Sequence, residues 1–384
     1  MKVEGKLGLL VRTQIIGKDG KIKSDTGKFR GKCWTANIAA IMSVIWTDRR
    51  LTPYVLNTLN LNGALVAKAD WDAQAAMINI KYPDSELAGI QVGTDDTMPA
   101  AWDNIVLGGF IDNGTSPGEL TYGTMDYSDT PKIIDEGVEW TVYREFTNSS
   151  GGSITVKEIG LMAQYISTKQ CLIARDVLPS SQVVANGEVL RVFYTWRTEL
   201  GMTLQFLQLM AEIWTFRSKG ALIKQVDGDS VAIAITSNWD SGGYPMSSLY
   251  AESVYDETGV EDGIRIGTGD TPVTLTDYAL AAEIKSGDGI GELIYGKQYI
   301  AVSSNTSWTQ FTPNTDGDIK IRYERVFENR SGAPITIKEI GFVVTYIAIS
   351  KGNGALLLRK VLDTPVTVPI GGYTRVFFSF VFPA

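Results

Sequence analysis

Along most of this chain apolar and polar residues alternate with a period of two, the mark of strands that bury one face. Ser153-Ile-Thr-Val-Lys-Glu-Ile-Gly-Leu161 turns Ile154 and Val156 inward and, after a one-residue shift, Ile159 and Leu161; Pro334-Ile-Thr-Ile337 repeats the beginning of the pattern. Val189 to Trp196 and Tyr373 to Phe380 read as aromatic-rich strands, each entered through a turn at Asn186-Gly187 or Gly371-Gly372. Asn148-Ser-Ser-Gly-Gly152 and Asn329-Arg-Ser-Gly332 predict the turn between the two strands of a hairpin. Two segments break the alternation. Thr35–Trp46 and Thr203–Phe216 carry apolar residues at helical spacing, with Leu204, Leu207, Met210, Ala211 and Trp214 on one face.

These elements occur twice. Arg144-Glu-Phe-Thr-Asn-Ser-Ser-Gly-Gly-Ser-Ile-Thr-Val-Lys-Glu-Ile-Gly160 returns as Arg325-Val-Phe-Glu-Asn-Arg-Ser-Gly-Ala-Pro-Ile-Thr-Ile-Lys-Glu-Ile-Gly341. Upstream, Val92-Gly-Thr-Asp-Asp-Thr97 matches Ile266-Gly-Thr-Gly-Asp-Thr271, and Gly118-Glu-Leu120 matches Gly291-Glu-Leu293. Downstream, Arg175-Asp-Val-Leu178 matches Arg359-Lys-Val-Leu362, and Arg191-Val-Phe193 matches Arg375-Val-Phe377. The spacing between matched residues drifts by small insertions while their order never changes, which marks a tandem duplication of a whole domain. The expected fold is mainly β: two tandem homologous antiparallel β-sandwich domains, residues 1–197 and 198–384, each with a short amphipathic helix near its start.

Composition narrows the functions. The 384 residues are 44% hydrophobic and 20% charged, an ordinary globular balance that speaks against disorder. Histidine is absent, which excludes Ser-His-Asp and Cys-His catalysis and His-ligated zinc or haem. With 35 Lys+Arg against 43 Asp+Glu the net charge is −8, so no nucleic-acid partner is expected. Two distant cysteines, Cys33 and Cys171, make no disulfide framework and read as buried thiols. Met1 to Ile16 lacks the apolar core of a signal peptide, and no run reaches the roughly 18 apolar residues of a membrane span. A soluble chain made in the cytoplasm is expected, with no membrane partner.

Each motif that could carry chemistry has a structural reading beside it. Lys157-Glu158 and Lys338-Glu339 recur, but neighbouring strand residues point to opposite faces, so each reads as part of a cross-strand ion pair. Arg175 and Arg359 are expected to anchor an acid or a loop carbonyl. Asp227/Asp229, Asp316/Asp318, Asp95-Asp96, Asp256-Glu257 and Glu261-Asp262 fall short of a calcium loop and suit turns. Gly93-Thr94 and Gly267-Thr268 are not a phosphate loop. Ser180, Ser181, Thr94 and Thr268 lack the base a nucleophile needs. Trp46, Trp214, Phe193 and Phe377 read as core, whereas Trp239 lies in a stretch the halves share only loosely. No catalytic, cofactor-binding or metal-ligating residue is assigned, no cofactor is expected, and no enzyme activity is predicted.

Three strings resemble structural proteins of tailed bacteriophages. They are Ile264-Arg-Ile-Gly-Thr-Gly-Asp-Thr-Pro272 with Asp277-Tyr-Ala-Leu280, Phe327-Glu-Asn-Arg-Ser-Gly332 with Ile335-Thr-Ile-Lys-Glu-Ile-Gly341, and Leu358-Arg-Lys-Val-Leu-Asp-Thr-Pro-Val-Thr-Val-Pro369. The second copy fits better; the first has Asp95-Asp96-Thr97-Met98 and Pro179-Ser180-Ser181 at the corresponding loops. The resemblance implies a non-enzymatic virion component of head surface, neck or tail, located in the virion after synthesis in the host cytoplasm. Its implied partners are further copies of itself, as a homo-oligomer, and other virion proteins. The competing reading is a receptor- or glycan-binding module displayed on such a particle.

Overall fold

The computed structural model describes residues 1–31, 34–35, 38, 58–59, 65–66, 80, 88–97, 107–128, 130–166, 169–199, 201–215, 221–233, 249–250, 262–302, 319–346 and 354–383. The first half contributes β1 (Lys2–Ile16), β2 (Ile22–Asp25), β3 (Phe29–Arg30), β4 (Thr58–Leu59), β5 (Leu65–Val66), β6 (Gly89–Gly93), β7 (Thr121–Tyr122), β8 (Asp126–Tyr127) and β9 (Lys132–Ile134). Four long strands follow: β10 (Gly137–Thr147), β11 (Ile154–Ile166), β12 (Lys169–Val184) and β13 (Val189–Glu199). The second half opens with helix α1 (Leu204–Thr215), then β14 (Ala221–Lys224), β15 (Ser230–Ile233), β16 (Leu249–Tyr250) and β17 (Gly263–Gly267). It closes with β18 (Ile294–Val302), β19 (Ile319–Glu328), β20 (Ile335–Tyr346), β21 (Ala355–Val368) and β22 (Tyr373–Phe382). The protein is mainly β.

Strands from both halves join in one 11-stranded sheet with the path β18-β19-β22-β1-β13-β10-β7. β1 is the joint. Its residues Leu7 to Ile16 pair antiparallel with β13, while Lys2 to Lys6 pair parallel with Phe377 to Val381 of β22. β13 and β22 therefore run in opposite directions on either side of β1. Their outer neighbours β10 and β19 are repeat-equivalent and pair in the same register: Arg144 of β10 faces Val192 of β13, and Arg325 of β19 faces Val376 of β22. The repeats are thus related by a pseudo-two-fold axis normal to the sheet, with β1 on the axis.

Alternation sets which face is covered. Trp140, Trp196 and Leu9 lie side by side across β10, β13 and β1; Tyr323, Phe378 and Val3 do so across β19, β22 and β1. Leu9 and Val3 share a parity on β1, so both halves bury the same face. All six belong to one apolar core spanning the molecule, and each large side chain contributes about 1.5–3 kcal/mol by leaving water.

Smaller sheets cover that face. In the first half the layer is β12-β11-β6; in the second, β17, β20 and β21 join with β16. Tyr194 of β13 donates its hydroxyl to Asp176 of β12 at 3.2 Å, and Phe342 of β20 stacks on Phe378 of β22 with ring centroids 4.5 Å apart. Ile154, Val156, Ile159 and Leu161 are buried, with the β11–β12 register slipping between Val156 and Glu158, where the shift was expected.

The segment after β10 is a corner, not the hairpin turn expected from Asn148 to Gly152, because β10 and β11 belong to different sheets. Asn148 holds that corner: its side-chain amide donates to the carbonyls of Gly152 and Val184. Asn329 does the same with Ala333 and Val368.

Helix α1 agrees with the expected Thr203–Phe216 to within a residue at each end. Thr203 anchors its start, donating from Oγ1 to the Leu356 carbonyl at 2.7 Å and from its backbone N–H to Leu357 at 2.9 Å. Thr35 makes the equivalent bonds to Leu172 and Ile173, at 2.6 and 3.1 Å. The rest of the helix expected over Thr35–Trp46 lies outside the described residues apart from Ile38. At the other end of α1, Trp214 packs edge-on against Trp196 of the first half, 4.8 Å between ring centroids.

Candidate functional site

The motifs singled out in the sequence converge on two buried charge clusters, one per half. Glu158 points inward from β11 and is fully buried. Its Oε1 accepts the backbone N–H groups of Gly109 at 2.7 Å and Asp95 at 3.3 Å; its Oε2 accepts Gly108 N–H at 3.2 Å and Arg175 Nε at 2.7 Å. Arg175 also reaches Asp95 at 3.1 Å. Lys157, on the opposite face of the strand, pairs outside with Asp96 at 2.8 Å.

The second half rebuilds this with Glu339 and Arg359, 2.7 Å apart. Glu339 accepts Gly269, Ala281 and Ala282 N–H groups at 3.2, 3.2 and 2.8 Å. Lys338 pairs outside with Asp270 at 2.7 Å. The acid that completes the cluster differs. Gly269 stands where the first half has Asp95, and Asp277 supplies the second carboxylate instead, 2.9 Å from Arg359. The Thr97 hydroxyl and N–H, with Arg175, hold Asp95 below the ordinary carboxylate value. Burial pushes Asp277 upward, but bonds from Thr274 and Arg359 outweigh it and leave it lowered.

This geometry explains the repeated Gly-Thr. A Cβ on Gly93 would sit 2.3 Å from Glu158 Oε1, and one on Gly267 would sit 2.4 Å from Glu339 Oε1. The glycine lets the carboxylate lie across the strand. Each glutamate is already saturated by three N–H groups and a guanidinium, so neither has a lone pair aimed at a substrate. The clusters tie loops to sheets.

Two further buried cations carried no distinguishing signal in the sequence beyond their repetition. Arg144 donates to the Gly123, Ala88 and Ile90 carbonyls at 2.7, 3.0 and 3.0 Å and lies over the Tyr122 ring. Arg325 donates to Gly296, Asp262 and Ile264 at 3.1, 2.8 and 2.9 Å and lies over Tyr295. Burial pulls the Arg325 guanidinium down to about 10, so it remains charged at neutral pH. Burial also pushes the phenols of Tyr122 and Tyr295 well above their usual value.

The remaining motifs scatter. Asp227 accepts the Asp229 N–H at 3.0 Å within a turn. Ser180 and Ser181 are exposed on β12. Trp214 is core, as expected, but Phe193 and Phe377 are not. They face outward and are half-buried beneath Arg12 and Arg322, at 5.5 and 4.8 Å, because their parity places them opposite the covered face. Cys33, Trp46, Trp239, Asp256, Glu257, Glu261, Asp316 and Asp318 lie outside the described residues. Among the described residues no group of three Cys, Asp or Glu side chains is placed to hold a metal ion, and no helix is long and apolar enough to cross a membrane. Against known protein families, curated proteins and solved structures, the chain has no match.

Proposed function

We propose that this chain is a non-enzymatic structural component of a tailed-phage particle, acting through protein–protein contacts with further copies of itself and with other virion proteins. In this reading each half is a β-sandwich unit with a short amphipathic helix near its start. The observation that carries it is the continuous sheet across the pseudo-two-fold: one sheet is shared by the two repeated halves, a form suited to a building block. The polar residues repeated in both halves support this, since they saturate one another and hold loops to sheets.

Electron microscopy with mass determination tests the proposal, on the purified chain and on particles from its native source. Regular density on a capsid, neck or tail, with the chain present by mass, is the expected result. A chain that occurs only free of particles, and that binds an arrayed glycan, would overturn it in favour of a ligand-binding module.

A further inference from the structure

The large sheet has two ends, and the duplication makes one an internal control for the other. Beside β10 the first half ends in three fragments, β7, β8 and β9, of two or three residues each, with Pro131 between the last two. Beside β19 the second half ends in β18, nine residues long. The structure equates their positions, because Met125 and Gln298 each accept the N–H of the corresponding strand residue, Ile90 at 3.2 Å and Ile264 at 2.7 Å. The next residue is Asp126 in the first half and Tyr299 in the second, and Tyr299 is 58% exposed. Similarly Pro117 precedes the positive-φ Gly118, while Ile290, 88% exposed, precedes the positive-φ Gly291.

Short strands, proline and charge are how sheets close their edges against pairing. The first half uses all three. On β18, Lys297 sits within the irregular stretch between Tyr295 and Gln298; beyond it Gln298-Tyr-Ile-Ala-Val302 pairs residue for residue with β19 and carries no charge. Among the described residues no strand lies on its other side.

We infer that Gln298–Val302 of β18 is an interface for a second copy of this chain, the two edges pairing antiparallel about a two-fold axis. This rests on the assembly reading above and names its partner. An uncharged strand meets its own copy without like-charge opposition, and the pairing continues the sheet that already joins the halves. A two-fold contact uses the same edge of both chains, so pairing through β18 closes as a dimer instead of extending into a fibre.

Sedimentation equilibrium of the full chain tests this, together with amide hydrogen exchange. The expected mass is that of two chains, with those amides of 298–302 that point away from β19 protected in the dimer and released on dilution. Tyr299→Asp, at a solvent-exposed position, weakens dimerisation at least about tenfold, and Ala301→Lys combined with it gives monomers. Asp126→Tyr at the broken edge leaves the mass unchanged. A wild-type mass of one chain at all concentrations, an odd-numbered oligomer, or a dimer indifferent to both β18 substitutions would overturn the inference. Density on particles, measured separately, keeps that failure distinct from failure of the assembly reading.

Discussion

Glu158 and Glu339 sit where a single side chain gathers backbone groups from loops far apart in sequence, and each is fully buried beside its arginine. Removing one partner of such a pair leaves the other charge buried and unpaired, so Glu158→Ala or Glu339→Ala should cost about 3–5 kcal/mol in denaturant unfolding. Lys157→Ala, at an exposed pair, should cost under about 1 kcal/mol and serves as the control. Gln298 offers a finer test. Its amide oxygen takes an N–H that a methionine sulfur takes in the first half, so Gln298→Met should cost roughly 1 kcal/mol, and Gln298→Ala more, because the N–H is then left unsatisfied. Acid should act on the same clusters. Asp95 and Asp277 are held below their ordinary value, so they bind fewer protons folded than unfolded, and the stability they supply is present above the unfolded value and lost as pH falls through the folded one. The thermal midpoint should be flat down to about pH 5 and decline below about pH 4. A midpoint that rises on acidification would contradict this.

Strands and the described helix were legible because their signals are local. The alternation from Ile154 to Leu161, including its shift, follows from the burial of one face, and the α1 stripe ending at Trp214 follows from helical spacing. What escaped was long-range partnership. Asn148-Ser-Ser-Gly-Gly152 has the chemistry of a turn, but whether the chain returns beside itself or crosses to another layer is decided by what β10 and β11 meet, here β13 and β12. Phe193 and Phe377 are apolar by composition and outward by parity. The saturation of Glu158 and Glu339 depends on N–H groups of loops that no local spacing brings together. β1 has no repeat-equivalent, so the duplication said nothing of its place between the halves. Its close fit is concentrated at Gly5, where a Cβ would lie 2.8 Å from Leu358 Cδ1 and 3.3 Å from Met202 Cγ. Gly5→Val should therefore cost about 1–3 kcal/mol through overpacking, whereas Gly20→Ala, in the turn after β1 with open space around it, is limited to the strain of its positive φ.

At the scale of the whole molecule, duplication and shared burial pull in different directions. Two copies of one unit invite the expectation of two bodies that unfold separately, each with its own midpoint. The sheet argues otherwise. Pulling the halves apart would strip β1 from either β13 or β22, open the contact between Trp196 and Trp214, and separate Trp34 from Phe382, whose rings lie 5.8 Å apart. Each loss exposes large apolar surface, and the surviving half would keep an unpaired strand edge. An intermediate with one half folded is therefore penalised on its own account, beyond the absence of its neighbour's stability. Calorimetry of the full chain should show one endotherm whose calorimetric and van't Hoff enthalpies agree. Glu158→Ala and Glu339→Ala, though far apart and in different halves, should each lower that same single transition. Two resolved endotherms, with each substitution moving only one of them, would mean that the halves are energetically separate despite their common sheet.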